Sequence, residues 1–244
     1  MASNSKPATM GLSTKPLYVQ VRDALTERIA TGAWKPGVAI LNEADLAREL
    51  GVSPGTMRKA LDIMEHERLV TRRQGRGTFV NDQSSDELSQ RFINVRGPDG
   101  ERIVGDVKSV EITEGVANEM ECMRLRLRTG DRVYRFRRVR FVDEQPFMLV
   151  EASVPASLFP GLEKMNDEGR IVGLAKRFGM LLGKAEERIS ISTASASIAE
   201  ALSVAPGSPI AVLDRVVEAI DGQPVEWRMA WCQLAENYYL AVMN

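Results

Sequence analysis

Apolar residues recur at helical spacing through the first third of the chain and alternate as in strands through much of the rest. Leu17, Val21, Leu25 and Ile29 share one side of a helix that Thr14 is placed to cap and Gly32 to end. Trp34-Lys35-Pro36-Gly37 makes a turn. In the stretch from Ile40 to Arg58, Asn42 caps a short helix with Asp45 as its reciprocal partner. Leu46, Ala47 and Leu50 form its apolar stripe, and Gly51 supplies the left-handed residue that stops it. Ser53 caps a second helix, with Pro54 at the first position, where a missing N–H costs nothing. Met57, Ala60, Leu61 and Met64 bury one face of that helix and leave Gly55, Thr56, Arg58, Lys59 and Asp62 outside. Two short helices joined by a tight turn are the layout of a helix-turn-helix. Leu69 to Val80 then predicts a hairpin, its tip Arg72-Arg73-Gln74-Gly75-Arg76-Gly77 carrying glycines that permit positive φ.

Beyond Val80 the pattern loosens. Residues 81–104 read as a linker, with Asn81 to Gln90 its polar part and Gly97-Pro98-Asp99-Gly100 a turn. From Gly105 strands are expected at 106–112, 133–142, 147–154, 188–196, 210–220 and 225–233. Helices are expected at 114–127, 170–180 and 198–202. Asp143-Glu144-Gln145-Pro146 and Asp221-Gly222 turn consecutive strands back on each other. The prediction is an α+β chain: a winged helix-turn-helix domain at 14–80, a linker at 81–104 and an antiparallel-sheet α+β domain at 105–244. Residues 1–13 read as a disordered arm.

Charge sharpens this division. Residues 1–80 hold 12 Lys+Arg against 8 Asp+Glu, a net of +4, while the remaining 20 and 25 leave 81–244 at −5. A polyanion would be drawn to the first part and repelled by the second. The chain has no run near the ~18 apolar residues of a membrane span, and its first residues lack the apolar core of a secretory signal. Cys122 and Cys232 lie far apart and read as reduced thiols of a cytoplasmic protein. With His66 the only histidine, a zinc site or a histidine-based triad lacks parts, and no cofactor is called for.

The candidate DNA contacts are Ser53, Gly55, Thr56, Arg58 and Lys59 at the start of the second helix, with Gln74, Gly75 and Arg76 on the wing. Hydroxyls and free amides at a helix N-terminus can grip phosphate, and an arginine can reach a guanine edge or a phosphate. Alternation over Val133–Val142 puts Tyr134, Phe136, Arg138 and Arg140 on one face and Arg135, Arg137, Val139 and Phe141 on the other. Neither is cleanly apolar, so these arginines fit a solvated face as well as a site. Trp227 and Trp231 share a face opposite Arg228, as core or as the wall of a site.

Residues 16–80 resemble the winged helix-turn-helix of the GntR family of bacterial transcription regulators. The matching residues are Pro36-Gly37, Glu43, Leu46-Ala47, Leu50-Gly51-Val52-Ser53, Thr56-Met57-Arg58, Ala60-Leu61 and Gly75-Arg76-Gly77-Thr78-Phe79-Val80. From about 105 onward the chain looks like the UTRA effector-binding domain of the HutC branch, a chorismate-lyase-like fold. That likeness rests on Gly130-Asp131, Arg138-x-Arg140, Pro146, Glu151, Pro155, Phe159-Pro160, Ala205-Pro206-Gly207, Arg215 and Asp221-Gly222-x-Pro224-x-Glu226. Ala44 and Pro54 stand where many members carry arginine, which leaves Arg58 of the usual set. The resemblance implies that Arg138 and Arg140 hold an anionic group, with Glu151, Arg170 and Glu226 completing an effector site. The two glutamates accept from ligand hydroxyls or an amine, or else pair with neighbouring arginines. It further implies a homodimer on a double-stranded DNA operator, answering to a small-molecule effector and most often repressing. The rival readings are a chorismate-lyase-like enzyme domain fused to a DNA-binding head, and an architectural DNA-binding protein without a ligand.

Overall fold

The computed structural model of the chain describes residues 15–82, 90, 92–165 and 170–241. The chain divides into two units, one ending at Asn81 and the other beginning at Asp82. Thr14, the arm before it and residues 83–89 of the expected linker lie outside the described residues.

The first unit is three helices and a hairpin. Helix α1 (Leu17–Ala30) buries Val21, Leu25 and Ile29. Helix α2 (Glu43–Glu49) starts where the Asn42 side chain accepts the N–H of Asp45, and it buries Leu46 and Ala47. Helix α3 (Pro54–His66) is capped by Ser53 and buries Met57, Ala60, Leu61 and Met64 completely. Burial of that stripe stabilises the unit by ~1.5–3 kcal/mol per large side chain. Strands β1 (Val70–Arg73) and β2 (Gly77–Val80) form the wing, in register from Val70↔Val80 to Arg73↔Gly77, with Ala39 bridging to Phe79.

The second unit is built on six antiparallel strands in the order β4-β5-β6-β9-β8-β7. They are β4 (Asp106–Val116), β5 (Arg132–Val142), β6 (Gln145–Pro155), β7 (Leu182–Thr193), β8 (Pro209–Ala219) and β9 (Pro224–Cys232). Helix α4 (Glu119–Leu125) follows β4, α5 (Ile171–Arg177) precedes β7 and α6 (Ala196–Leu202) follows β7. Strand β4, helix α4 and the hairpin β5–β6 therefore recur in the same order as β7, α6 and β8–β9, and the two halves meet where β6 pairs with β9. A small ladder of β3 (Val95–Arg96) and β10 (Tyr238–Tyr239) completes the unit.

One face of the sheet carries two apolar clusters. The first gathers Tyr134, Phe136, Phe159, Leu162 and Leu174 under α5, and the second gathers Val95, Met148, Val150 and Leu213 beside β3. On the other face Leu149, Leu202 and Ile210 pack with α6, and Trp231 joins them.

Three expectations are corrected. Glu114 to Val116 belong to β4, opposite Tyr134 to Arg132, and the helix expected over 114–127 is only α4. Asn118 caps α4, Arg126 in the left-handed region ends it, and Met120 and Met123 stay exposed, so the apolar stripe there is no core stripe. Strand β7 begins at Leu182 and not at Arg188, because its charged and apolar residues alternate across an edge strand. The stretch 92–104 is no free linker. Val95 is 2% exposed and pairs with Tyr239, which fixes this segment to the second unit.

Candidate functional site

In the first unit the exposed side of α3 opens with two hydroxyls. Ser53 Oγ accepts the Thr56 N–H at 3.1 Å and lies 2.9 Å from Thr56 Oγ1, which settles the cap and holds both at the helix start. Gly55 between them adds no side chain, while Pro54 has no N–H to offer and the Thr56 N–H is taken by the cap. Arg58 follows one turn later. Its side chain is 69% exposed, and its Nε lies 3.2 Å from Glu43 Oε2. Arg72 is spoken for. It reaches Glu43 at 3.3 Å, Glu65 at 3.6 Å and Asp62, and so ties the wing to both helices. Lys59 holds its ammonium 3.9 Å from the Tyr18 ring centroid. At the wing tip the Arg76 N–H donates to the Arg73 carbonyl at 2.9 Å, and Gly75 and Gly77 take φ of +69° and +105°. A side chain at either would be strained, so the tip keeps Gln74 and Arg76 as its outward groups.

In the second unit the inward face of β5 is the one bearing Tyr134, Phe136, Arg138 and Arg140, a choice that alternation alone left open. Between the two apolar clusters this face carries buried charge. Arg138, Arg140, Arg215 and Arg228 are 3%, 7%, 3% and 8% exposed, and Glu226 is 1% exposed. They line a cavity of about 360 Å³, with Arg170 at its exposed rim, Lys176 on α5, and Phe92 and Val104 on the side of the connecting segment. Glu187 sits against the cluster, 3.6 Å from Arg215 and 3.4 Å from Arg228. Guanidiniums thus outnumber carboxylates. Nε and Nη1 of Arg138, Nε of Arg215 and Nε of Arg228 meet no acceptor among the described residues, and Glu226 Oε2 meets no donor.

The electrostatic consequence is direct. Burial pushes the Arg138 guanidinium down to about 10, with Glu226 opposing and Arg228, Arg170 and Arg215 adding to the push. Burial likewise pushes Arg228 down to about 9, abetted by Arg215. Arginine keeps its proton in proteins, so these shifts measure how poorly the charges are solvated. Buried donors left unmade cost about 1–3 kcal/mol each, more when charged. An anion with several oxygens would relieve that cost, and a hydroxyl or ammonium on the same molecule would serve Glu226.

Glu151 is the residue that the structure removes from this group. It stands opposite Arg137, not Arg138, and its carboxylate lies 3.2 Å from Arg137 Nε on the other face of the sheet. There it lines a separate cavity of about 350 Å³ with Trp227 and the pair of half-buried Arg135 and buried Glu121. The Trp227 indole N–H donates to Asp214 at 2.9 Å, and Trp231 packs under α6, so the two tryptophans share the face opposite Arg228 as expected. Arg215, Arg228 and Glu187 were missed. Period-two alternation puts Arg228 on the face of Glu226, and Arg215 stands eight residues after Gly207 as Arg138 stands eight after Gly130. Among the described residues no group of histidine, cysteine, aspartate or glutamate could hold a metal ion. None of their helices is long and apolar enough to cross a membrane.

Comparison with known proteins agrees with this division. Residues 17–80 match the model of bacterial regulatory proteins of the gntR family, and residues 103–236 match the UTRA domain. The chain is 29% identical over 219 residues to the mannosyl-D-glycerate transport/metabolism system repressor MngR of Escherichia coli, covering 87% of this chain and 90% of that one. It is 24% identical over 219 residues to the transcriptional repressor NagR of Bacillus subtilis, covering 86% and 88%. The crystal structure of PhnF from Mycobacterium smegmatis shares the fold, with a TM-score of 0.54 at 22% identity over 92% of this chain and 99% of that one.

Proposed function

The chain belongs to the GntR family of bacterial regulatory proteins and carries a UTRA domain, and we propose that it is a repressor whose hold on its operator is set by a small anionic metabolite. The observation that carries this reading is the cluster of buried guanidiniums in the second unit, with donors that no carboxylate nearby satisfies. Arg138, Arg140, Arg215 and Arg228 bind the anionic group, Arg170 gates the rim, and Glu226 accepts from a hydroxyl or ammonium. Bidentate arginine bonds to phosphate or carboxylate give both strength and orientation. The glycerate in the name of MngR's system is a hydroxylated carboxylate, a chemistry of the kind these groups ask for.

The head works as a pair. One winged helix-turn-helix makes few contacts, so a homodimer on a roughly palindromic site doubles them with matched half-sites. Ser53, Gly55 and Thr56 seat the helix on phosphate, Arg58 reads a base edge, and Lys59 adds charge. Gln74, Gly75 and Arg76 bring the wing to the backbone. The test is a thermal-shift screen of phosphorylated and carboxylated metabolites, followed by titration of the operator complex with each hit. A hit should raise the melting temperature and release DNA, and Arg138→Gln with Arg140→Gln should abolish both. A ligand that acts equally on the doubly substituted protein would sink the reading. Sedimentation of the operator complex as one protomer per site would sink the dimer.

A further inference from the structure

The cavity has one wall that does not belong to the sheet. Phe92 and Ile93, from the segment that connects the two units, line it beside the arginines. Arg215 Nη1 donates to the Phe92 carbonyl, and the same guanidinium lies 5.4 Å from the centroid of the Phe92 ring. Two residues on, the Asn94 amide donates to the Tyr239 hydroxyl at 2.7 Å and to Glu187 at 3.2 Å. Glu187 in turn faces Arg215 and Arg228. From Asn94 onward the chain is held by β10 and the residue after it, the Leu240 N–H donating to the Asn94 carbonyl at 2.9 Å. One side chain of the cavity thus clasps the backbone of the connecting segment just before that segment is secured by strand pairing.

We propose that Arg215 is the coupling residue, shared between the connecting segment and the ligand. This rests on the anion-binding reading of the cavity and adds how occupancy is reported. A backbone carbonyl is a neutral acceptor, whereas a phosphate or carboxylate oxygen makes a charge-assisted bond roughly twice as strong. An anion that reaches Arg138 and Arg228 lies within the same cluster as Arg215 and competes for its Nη1. Occupancy turns Arg215 from the Phe92 carbonyl to the ligand and frees the segment before Asn94. The β3–β10 ladder is untouched, so release stays confined to the residues that lead back to the DNA-binding head. Reciprocity follows: whatever holds the segment in place weakens the anion by the same factor.

The experiment is hydrogen–deuterium exchange on the full chain, with inorganic phosphate as probe and chloride matching the ionic strength. Phosphate should raise the melting temperature and speed exchange of peptides covering the residues up to Ile93, leaving 94–96 protected. Arg215→Gln should show the fast exchange without phosphate, no further change with it, and about tenfold weaker operator binding in its absence, within the usual range of coupling. If that variant fails to fold by circular dichroism, Phe92→Ala, which removes the stacked ring and keeps the carbonyl, should shift exchange in the same direction. A melting shift in the native protein without faster exchange in the residues up to Ile93 overturns the coupling and leaves the cavity reading standing. No melting shift with phosphate, native and Arg138→Gln alike, overturns the cavity reading and the coupling with it.

Discussion

The arginines of the two units are solvated in opposite ways. Arg58 is 69% exposed with one carboxylate near it, whereas Arg138 is 3% exposed with two of its nitrogens lacking acceptors among the described residues. An exposed guanidinium gives up little when it meets a phosphate, and it gains mainly by releasing counterions from the polymer. A buried one is held at a cost that only the right small anion removes. On the proposed reading the same residue type would serve a long polyanion in one unit and a discrete ligand in the other, and burial would decide which.

The largest expected effect tests what a fully partnered ion pair is worth beside the under-partnered cluster. Half-buried Arg135 on the opposite face is the contrast, because its buried partner Glu121 also accepts from Ser153 and the Asn118 N–H. Burial acts to raise the Glu121 carboxyl, yet it is held below the usual carboxylate range by Arg135, the Asn118 N–H and Ser153. Glu121→Gln should cost about 3 kcal/mol at pH 7, because the buried carboxylate accepts several hydrogen bonds, from Arg135, Ser153 and the Asn118 N–H, and those to a charged group are worth ~1.5–3 kcal/mol each. A depressed carboxylate stabilises above its unfolded value of 4.5 and loses that contribution as pH falls through the folded one. Melting curves from pH 7 to 3 should therefore converge for native and substituted protein at the acid end. Parallel curves would break the contrast.

Next in size is the response to ligand. Saturation at a hundred times the dissociation constant should add ~2.7 kcal/mol to unfolding, and Arg228→Met should erase it. The same substitution should leave the unliganded protein as stable as before or more so, because a poorly solvated charge has gone while Glu187 keeps Arg215, Tyr239 and Asn94 as partners. Chemical denaturation with and without the ligand measures both. A large loss in the unliganded state would mean that Arg228 is already fully compensated.

Smaller again, Arg58→Ala should weaken the operator by ~1–3 kcal/mol per half-site with little change in melting temperature. The smallest effect belongs to the wing. Arg76→Ala should weaken all sequences alike and lower the salt slope by about 1, read from titrations at several salt concentrations. Equal losses on operator and random DNA for both variants would erase the distinction between base and phosphate contact.

Local chemistry made the head readable in advance. Asn42, Gly51, Ser53 and Pro54 act within their own turns, and each stands where capping rules put it. The sheet was legible in its hairpins and less so in its faces. Tyr134, Phe136, Arg138 and Arg140 point inward because α5 and β3 cover that side, and those elements lie far away in sequence. Glu151 was assigned to the site by motif, although its register partner is Arg137. The Phe92–Arg215 bond spans 123 positions and is made by a carbonyl, which no side-chain pattern announces.

The β3–β10 ladder also orders events in time. Asn94 and Tyr239, which it brings together, are 145 positions apart, whereas the helices and wing of the head close within 17–80. Distant pairings form slowly, and during synthesis early domains fold first, at ~5–20 residues per second. A nascent chain would thus complete its head on the order of ten to thirty seconds before β10 emerges. During that interval it would hold a folded head and an unfinished second unit, so on the proposed reading a ligand could find its site only after the half that contacts DNA was already in place.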